Sequence, residues 1–109
     1  MIRHIVLFRL KNSFTGRNRT EALAELKKHI EELPHSIDLI RRCEVGIDVR
    51  HLETSYDIIL TMDFDSMADL DAYTVHPDHQ DFIRFNQDFS ATKVCIDYPI
   101  SGESYPDEK

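Results

Sequence analysis

A chain of 109 residues has room for one domain with one modest core, burying roughly two-thirds of its unfolded surface. Twenty acidic residues against thirteen basic ones give a net charge of −7, and no Lys/Arg run exceeds two, so nucleic acid and anionic membrane surfaces are excluded as partners. The longest apolar run is four residues (5–8) and the sequence opens on a strand-like run rather than a signal-peptide core, so a soluble, cytoplasmic protein is expected.

Residues 2–10, IRHIVLFRL, read as a strand dense in Val, Ile and Phe. One face carries Ile2, His4, Val6, Phe8 and Leu10. The other carries Arg3, Ile5, Leu7 and Arg9, apolar at its centre and charged only at its ends. A half-solvated antiparallel strand shows polar residues there, so something covers the middle of this second face. Residues 18–33 read as a helix, with Leu23, Leu26, Ile30 and Leu33 at helical spacing. Asn18 or Thr20 suits its N-cap, and Pro34 stops it. Residues 37–49 form a second extended run with Leu39, Cys43, Val45, Ile47 and Val49 on one face, and Gly46 marks a candidate bulge. After a loop at 50–55, residues 56–64 alternate strongly, with Tyr56, Ile58, Leu60, Met62 and Phe64 on one face. A helical stretch opens at Ser66, where Ser66 and Asp69 fit an acidic capping box. Pro77 ends it and starts a second helical piece over 77–88. Residues 92–100 are the last strand, with Val94, Ile96, Tyr98 and Ile100 on one face.

The order is β-α-β-β-α-β. It predicts an α+β, ferredoxin-like domain over residues 1–100, a four-stranded antiparallel sheet with both helices on one face, followed by an acidic tail at 101–109. The apolar alternation of each strand is assigned to the helix side. That leaves Ile5, Leu7, Ile59, Thr61 and Cys95 on the open side, an apolar patch that a second copy of the chain would cover in an isologous homodimer. Cys43 and Cys95 read as reduced thiols that behave as small hydrophobes.

Several segments together resemble the stress-responsive A/B barrel family of dimeric α+β barrels. They are the opening strand Met-Ile-Arg-His-Ile-Val-Leu-Phe-Arg, the strand Tyr56-Asp57-Ile58-Ile59-Leu60, the turn Tyr73-Thr74-Val75-His76-Pro77-Asp78-His79, and the closing strand Val94-Cys95-Ile96-Asp97-Tyr98. The resemblance implies a homodimer whose two sheets pack into a barrel. One enzyme of the family, olivetolic acid cyclase, closes a ring in a linear polyketide by an aldol-type condensation. The resemblance places its catalytic Tyr and His at Tyr73 and His79 and a cavity His at His4; a further cavity His of that enzyme falls at or near Ile58.

An intramolecular aldol step needs a base for the proton alpha to a carbonyl and a donor for the enolate oxygen. His79, third residue of the helix that Pro77 opens, suits the base, and Tyr73 suits the donor. His4 points to the same side of the sheet. The plainer alternative is that all three are packed side chains of a binding protein without turnover, and an oxygenase of the same architecture is a third reading. His76 is expected to cap the turn, and His29, His35 and His51 to be solvated. A metal site would draw on His76, His79, Asp78 and Asp81, but the proline turn can splay the two histidines, so no metal and no cofactor are expected.

Overall fold

The computed structural model describes residues 1–14 and 16–100; the acidic tail expected at 101–109 lies outside the described residues. Seven elements follow in chain order: β1 (Ile2–Leu10), α1 (Arg19–Ser36), β2 (Arg42–Ile47), β3 (Ile58–Phe64), α2 (Met67–Thr74), α3 (Pro77–Asn86) and β4 (Ser90–Pro99). The four strands form one sheet in the order β2-β3-β1-β4, antiparallel throughout. This is the ferredoxin-like α+β arrangement that the element order predicts.

Helix α1 begins at a reciprocal capping box. Asn18 Oδ1 accepts from the Glu21 amide at 2.8 Å, and Glu21 Oε1 accepts from the Asn18 amide at 2.9 Å. Its stripe of Ala22, Leu23, Leu26, Ile30 and Leu33 is buried. Pro34 does not stop this helix, which runs on to Ser36. A proline costs the bond to the carbonyl four residues back, here Ile30 O, and the Cys43 Sγ lies 3.9 Å from that oxygen. The Ile37 amide then closes the helix on Leu33 O at 3.0 Å.

Strand β2 is shorter than its apolar pattern. Ile37 and Ile40 are buried as plugs in a turn before it. Val49 is 85% exposed, because the chain turns at Asp48, whose Oδ2 accepts from the His51 amide at 2.7 Å while His51 takes a positive φ of 57°. Gly46 marks no bulge: it pairs in register with Ile59, and a Cβ at Gly46 would meet Ile59 Cγ2 at 3.1 Å. The irregularity of the sheet lies instead between Arg9 and Leu10, where β1 meets β4. Tyr56 precedes β3, and the Arg9 guanidinium sits 4.5 Å over its ring.

The largest departure concerns β4. Its partners across the ladder are Val6↔Cys95 and His4↔Asp97 on one side, and Leu7↔Val94, Ile5↔Ile96 and Arg3↔Tyr98 on the other. Directly opposed residues share a face. Cys95 therefore belongs to the helix-covered face, and Val94, Ile96 and Tyr98 belong to the open one. This inverts the expected facing of β4, and the assignment of Cys95 to the open patch is corrected with it. The open face then reads in rows across the sheet: Gly46, Ile59, Leu7, Val94; Glu44, Thr61, Ile5, Ile96; Arg42, Asp63, Arg3, Tyr98. Both cysteines are free thiols on strands at opposite edges of the sheet. Burial pushes the Cys43 thiol up to about 11.

Candidate active site

Ser66 caps α2 by accepting from the Asp69 amide at 3.1 Å, and α2 ends at Thr74. His76 caps α3 as expected, its Nδ1 accepting from the Asp78 amide at 3.1 Å, with Pro77 as the first helical residue. The joint between α2 and α3 thus carries Tyr73 and Thr74 on one side and His79 on the other, above the covered face of β1 and β4. Beneath it a cavity of ≈ 390 Å³ opens. Val6, Phe8, Leu60, Phe82 and Ile83 make its apolar walls. His4, Tyr73 and His79 all line it, so the three residues singled out in the sequence converge.

The rings are close. Tyr73 and His79 have centroids 4.2 Å apart, and His4 lies 6.1 Å from Tyr73. Phe64 backs Tyr73 at 5.0 Å. The histidine tautomers follow from their partners. His79 Nδ1 lies 3.0 Å from Thr74 O, and a carbonyl only accepts, so Nδ1 carries the proton and Nε2 keeps its lone pair in the neutral ring. His4 Nδ1 lies 2.5 Å from Asp97 Oδ1, so it too donates and leaves Nε2 as the other ring nitrogen. His4 and Asp97 are directly opposed in the ladder, which fixes this pair through the backbone.

Burial holds His79 below the ordinary imidazole value, against the raising effect of the Thr74 carbonyl, and the nearby Lys93 charge acts in the same direction as burial. The neutral base form is favoured. Burial likewise pushes the Tyr73 phenol well up, so it stays protonated and donates. The Tyr73 residue is 1% exposed, yet among the described residues no hydrogen bond ties its hydroxyl to another group and no buried side-chain oxygen lacks a partner. The hydroxyl therefore reaches the cavity.

Sequence reasoning missed Asp97, Lys93 and Asn86, which also line the cavity. The inverted facing of β4 hid the first two. One signal was present: an antiparallel pairing of first and last strands brings His4 opposite Asp97. His29 is not freely solvated, for it stacks on Phe85 at 3.8 Å and donates from Nδ1 to Glu25 O at 3.0 Å. Among the described residues no group of three His, Cys, Asp or Glu side chains is placed to hold a metal ion, and no helix is long and apolar enough to cross a membrane.

Comparison with known proteins gives one family: the stress responsive A/B barrel domain matches residues 2–100. No curated protein matches the chain. Among solved structures, a dimeric protein of unknown function with a ferredoxin-like fold from Bacteroides fragilis is 29% identical, over 91% of this chain and 95% of that one, with a TM-score of 0.79. A dimeric ferredoxin-like protein of unknown function from Thermobifida fusca is 25% identical over 91% and 90%, with a TM-score of 0.76. A hydroxynitrile lyase from Passiflora edulis is 17% identical over 94% and 95%, with a TM-score of 0.78, a likeness of fold alone.

Proposed function

We propose that this chain, which belongs to the stress-responsive A/B barrel domain family, works as a homodimer through its open sheet face, binds a small carbonyl compound between sheet and helices, and moves a proton on it. The observation that carries the chemistry is the pair of anchored histidines flanking Tyr73. Each has its Nδ1 committed, one to Thr74 O at 3.0 Å and one to Asp97 at 2.5 Å, with Tyr73 between them on the wall of one cavity. His79 Nε2 takes the proton alpha to the carbonyl. The Tyr73 hydroxyl donates to the carbonyl oxygen as it gains enolate character, and its high proton affinity suits a group that must donate without ionising. His4, oriented by Asp97 and beside the Tyr73 ring, is the second group placed to carry a proton. An aldol-type ring closure of the olivetolic acid cyclase kind is this same proton transfer followed by attack of the enolate carbon on a second carbonyl; a lyase step is the reverse, in which the base takes the proton of a hydroxyl beside the carbon–carbon bond that breaks.

The dimer rests on the open face. Ile5, Leu7 and Ile59 lie there as expected, joined by Val94 and Ile96, which are 47% and 58% exposed in the single chain. The similar proteins from Bacteroides fragilis and Thermobifida fusca are dimeric.

The test is α-proton exchange into deuterated water, followed by NMR on acetophenone and on linear 1,3-diketones. The wild type accelerates exchange, and His79→Gln loses about 10²–10⁴-fold of that acceleration, the usual worth of a positioned base. Binding without accelerated exchange across the whole set would leave a binding protein and remove the catalytic reading.

A further inference from the structure

The cavity has a second end, away from His4. In the β1–β4 ladder His4 faces Asp97 and Phe8 faces Lys93, four residues further along, or about 13 Å of extended chain. Among the described residues Lys93 is the one Lys or Arg that lines the cavity, and no carboxylate pairs with it. Among the described residues the one lining carboxylate, Asp97, is spent on His4.

Asn86 stands at the same end. It is 8% exposed, so its amide is among the few buried polar groups of the chain. Ser90 Oγ donates to its Oδ1 at 2.7 Å. Among the described residues no group accepts from its Nδ2 and no buried side-chain nitrogen is left without a partner, so Nδ2 opens into the cavity that Asn86 lines. A buried amide held by one atom and open at the other is a donor waiting for an acceptor. Ammonium and amide together present only hydrogen to a ligand.

We propose that Lys93 and Asn86 form an anion subsite, and that the ligand is a small aromatic or aliphatic ketone carrying a carboxylate at the end remote from its reacting carbonyl. The inference rests on the proposed carbonyl chemistry for the orientation of the ligand, with the carbonyl at Tyr73 and the carboxylate at Lys93. The apolar stretch between the two ends, with Phe8 and Phe82 at 6.4 Å edge to face, suits the hydrocarbon part. The charge of Lys93 already reaches His79, which it makes less basic. A carboxylate seated on Lys93 offsets that charge and raises the basicity of His79, so the correct ligand strengthens the base that acts on it.

The experiment compares 4-acetylbenzoate with acetophenone by 15N-detected chemical-shift titration of the native chain, with exchange into deuterated water as a separate readout. The carboxylate ketone binds about tenfold more tightly or better, the worth of a charge-assisted hydrogen bond or two. Lys93→Met keeps the aliphatic stem and erases that preference. Asn86→Asp keeps the bond from Ser90 and weakens 4-acetylbenzoate selectively. Equal affinities in the wild type, or a preference that survives Lys93→Met, would overturn the subsite. A preference without accelerated exchange keeps the subsite and removes the proton-transfer reading. If neither ketone shifts the amides of residues 90–95, both readings fall.

Discussion

The two faces of the sheet are built from the same strands and meet different fates. On the covered face, Val6, Phe8, Leu60, Met62 and Phe64 are buried beneath the helices, and a cavity opens beneath the α2–α3 joint. The polar groups there keep something unused: a ring nitrogen on His4 and on His79, the Tyr73 hydroxyl, the Asn86 amide. On the open face the reverse holds. Ile5, Leu7, Ile59, Val94 and Ile96 form the apolar centre, and the polar groups at its margin are already satisfied by one another. Asp63, 4% exposed, takes Arg3 Nε at 2.8 Å and Nη2 at 3.0 Å, and the guanidinium holds its carboxyl below the usual carboxylate range. Unspent hydrogen bonds suit a small ligand, whereas unspent apolar area beside a closed ion pair suits a second protein surface.

The strongest way to break this contrast is Leu7→Asp. Leu7 sits at the middle of the open face, between Ile59 and Val94. In a sheet-to-sheet dimer the substitution forfeits about 1.5–3 kcal/mol of burial per protomer and adds the cost of desolvating a carboxylate. Sedimentation should give a dimer for the wild type and unfolded or aggregated material for the variant. A well-folded monomer of Leu7→Asp would remove the assignment of this face to a partner.

Tyr73→Phe asks the converse question of the covered face. The ring keeps its contacts with Phe64 and His79, and no protein bond to the hydroxyl is lost. Thermal stability should move by no more than a degree or two, while catalysed α-proton exchange falls about 10²–10³-fold, as for loss of one oxyanion donor. A large drop in stability with little change in exchange would make Tyr73 a core residue and nothing more.

The pH dependence is a gentler probe of the same face. His79 is held below the ordinary imidazole value in the fold, so the unfolded chain binds its proton first as pH falls. Its contribution to stability is complete above about pH 6.5, the unfolded value, and is lost as pH drops from there toward the folded value. The acid limb of the exchange rate should lie below that same pH, because the base stays neutral further into acid. His79→Gln should flatten this part of the stability curve. An acid limb above pH 7 would mean that a different group is the base.

These tests also mark what the sequence could and could not reveal. The strand and helix order and the two-sided β1 follow from local patterns: period-two and period-3.6 apolarity, and a proline that restarts a helix. The grouping of His4, Tyr73 and His79 comes instead from the resemblance to the stress-responsive A/B barrel family. The facing of β4 did not follow. An apolar alternation says which residues share a face and is silent about which face is covered within the chain. With Val94 and Ile96 assigned to the helices, Lys93, Cys95 and Asp97 were placed away from the site. A strand whose apolar row serves a partner looks the same in sequence as one whose apolar row serves its own core. Pro34 misled because it costs α1 one hydrogen bond, to Ile30 O, and a residue remote in sequence, Cys43, brings its Sγ to 3.9 Å from that oxygen.

The smallest expected effect distinguishes a free open face from a covered one. At Gly46→Ala the new Cβ would stand 3.1 Å from Ile59 Cγ2, so Ile59 must yield by a few tenths of an ångström. In a separate chain Ile59 is 37% exposed and can turn aside. The loss of unfolded-state freedom at a former glycine then offsets the contact, and the net change should stay within about 0.5 kcal/mol. Under a second sheet Ile59 has no such room, and its displacement is passed to the partner. Gly46→Ala should therefore weaken dimerisation by a few-fold on dilution while leaving the α-proton exchange of the intact dimer as it was. A dimer constant equal to that of the wild type would place Ile59 at the rim of the interface rather than within it, and would move the centre of contact toward Ile5 and Ile96.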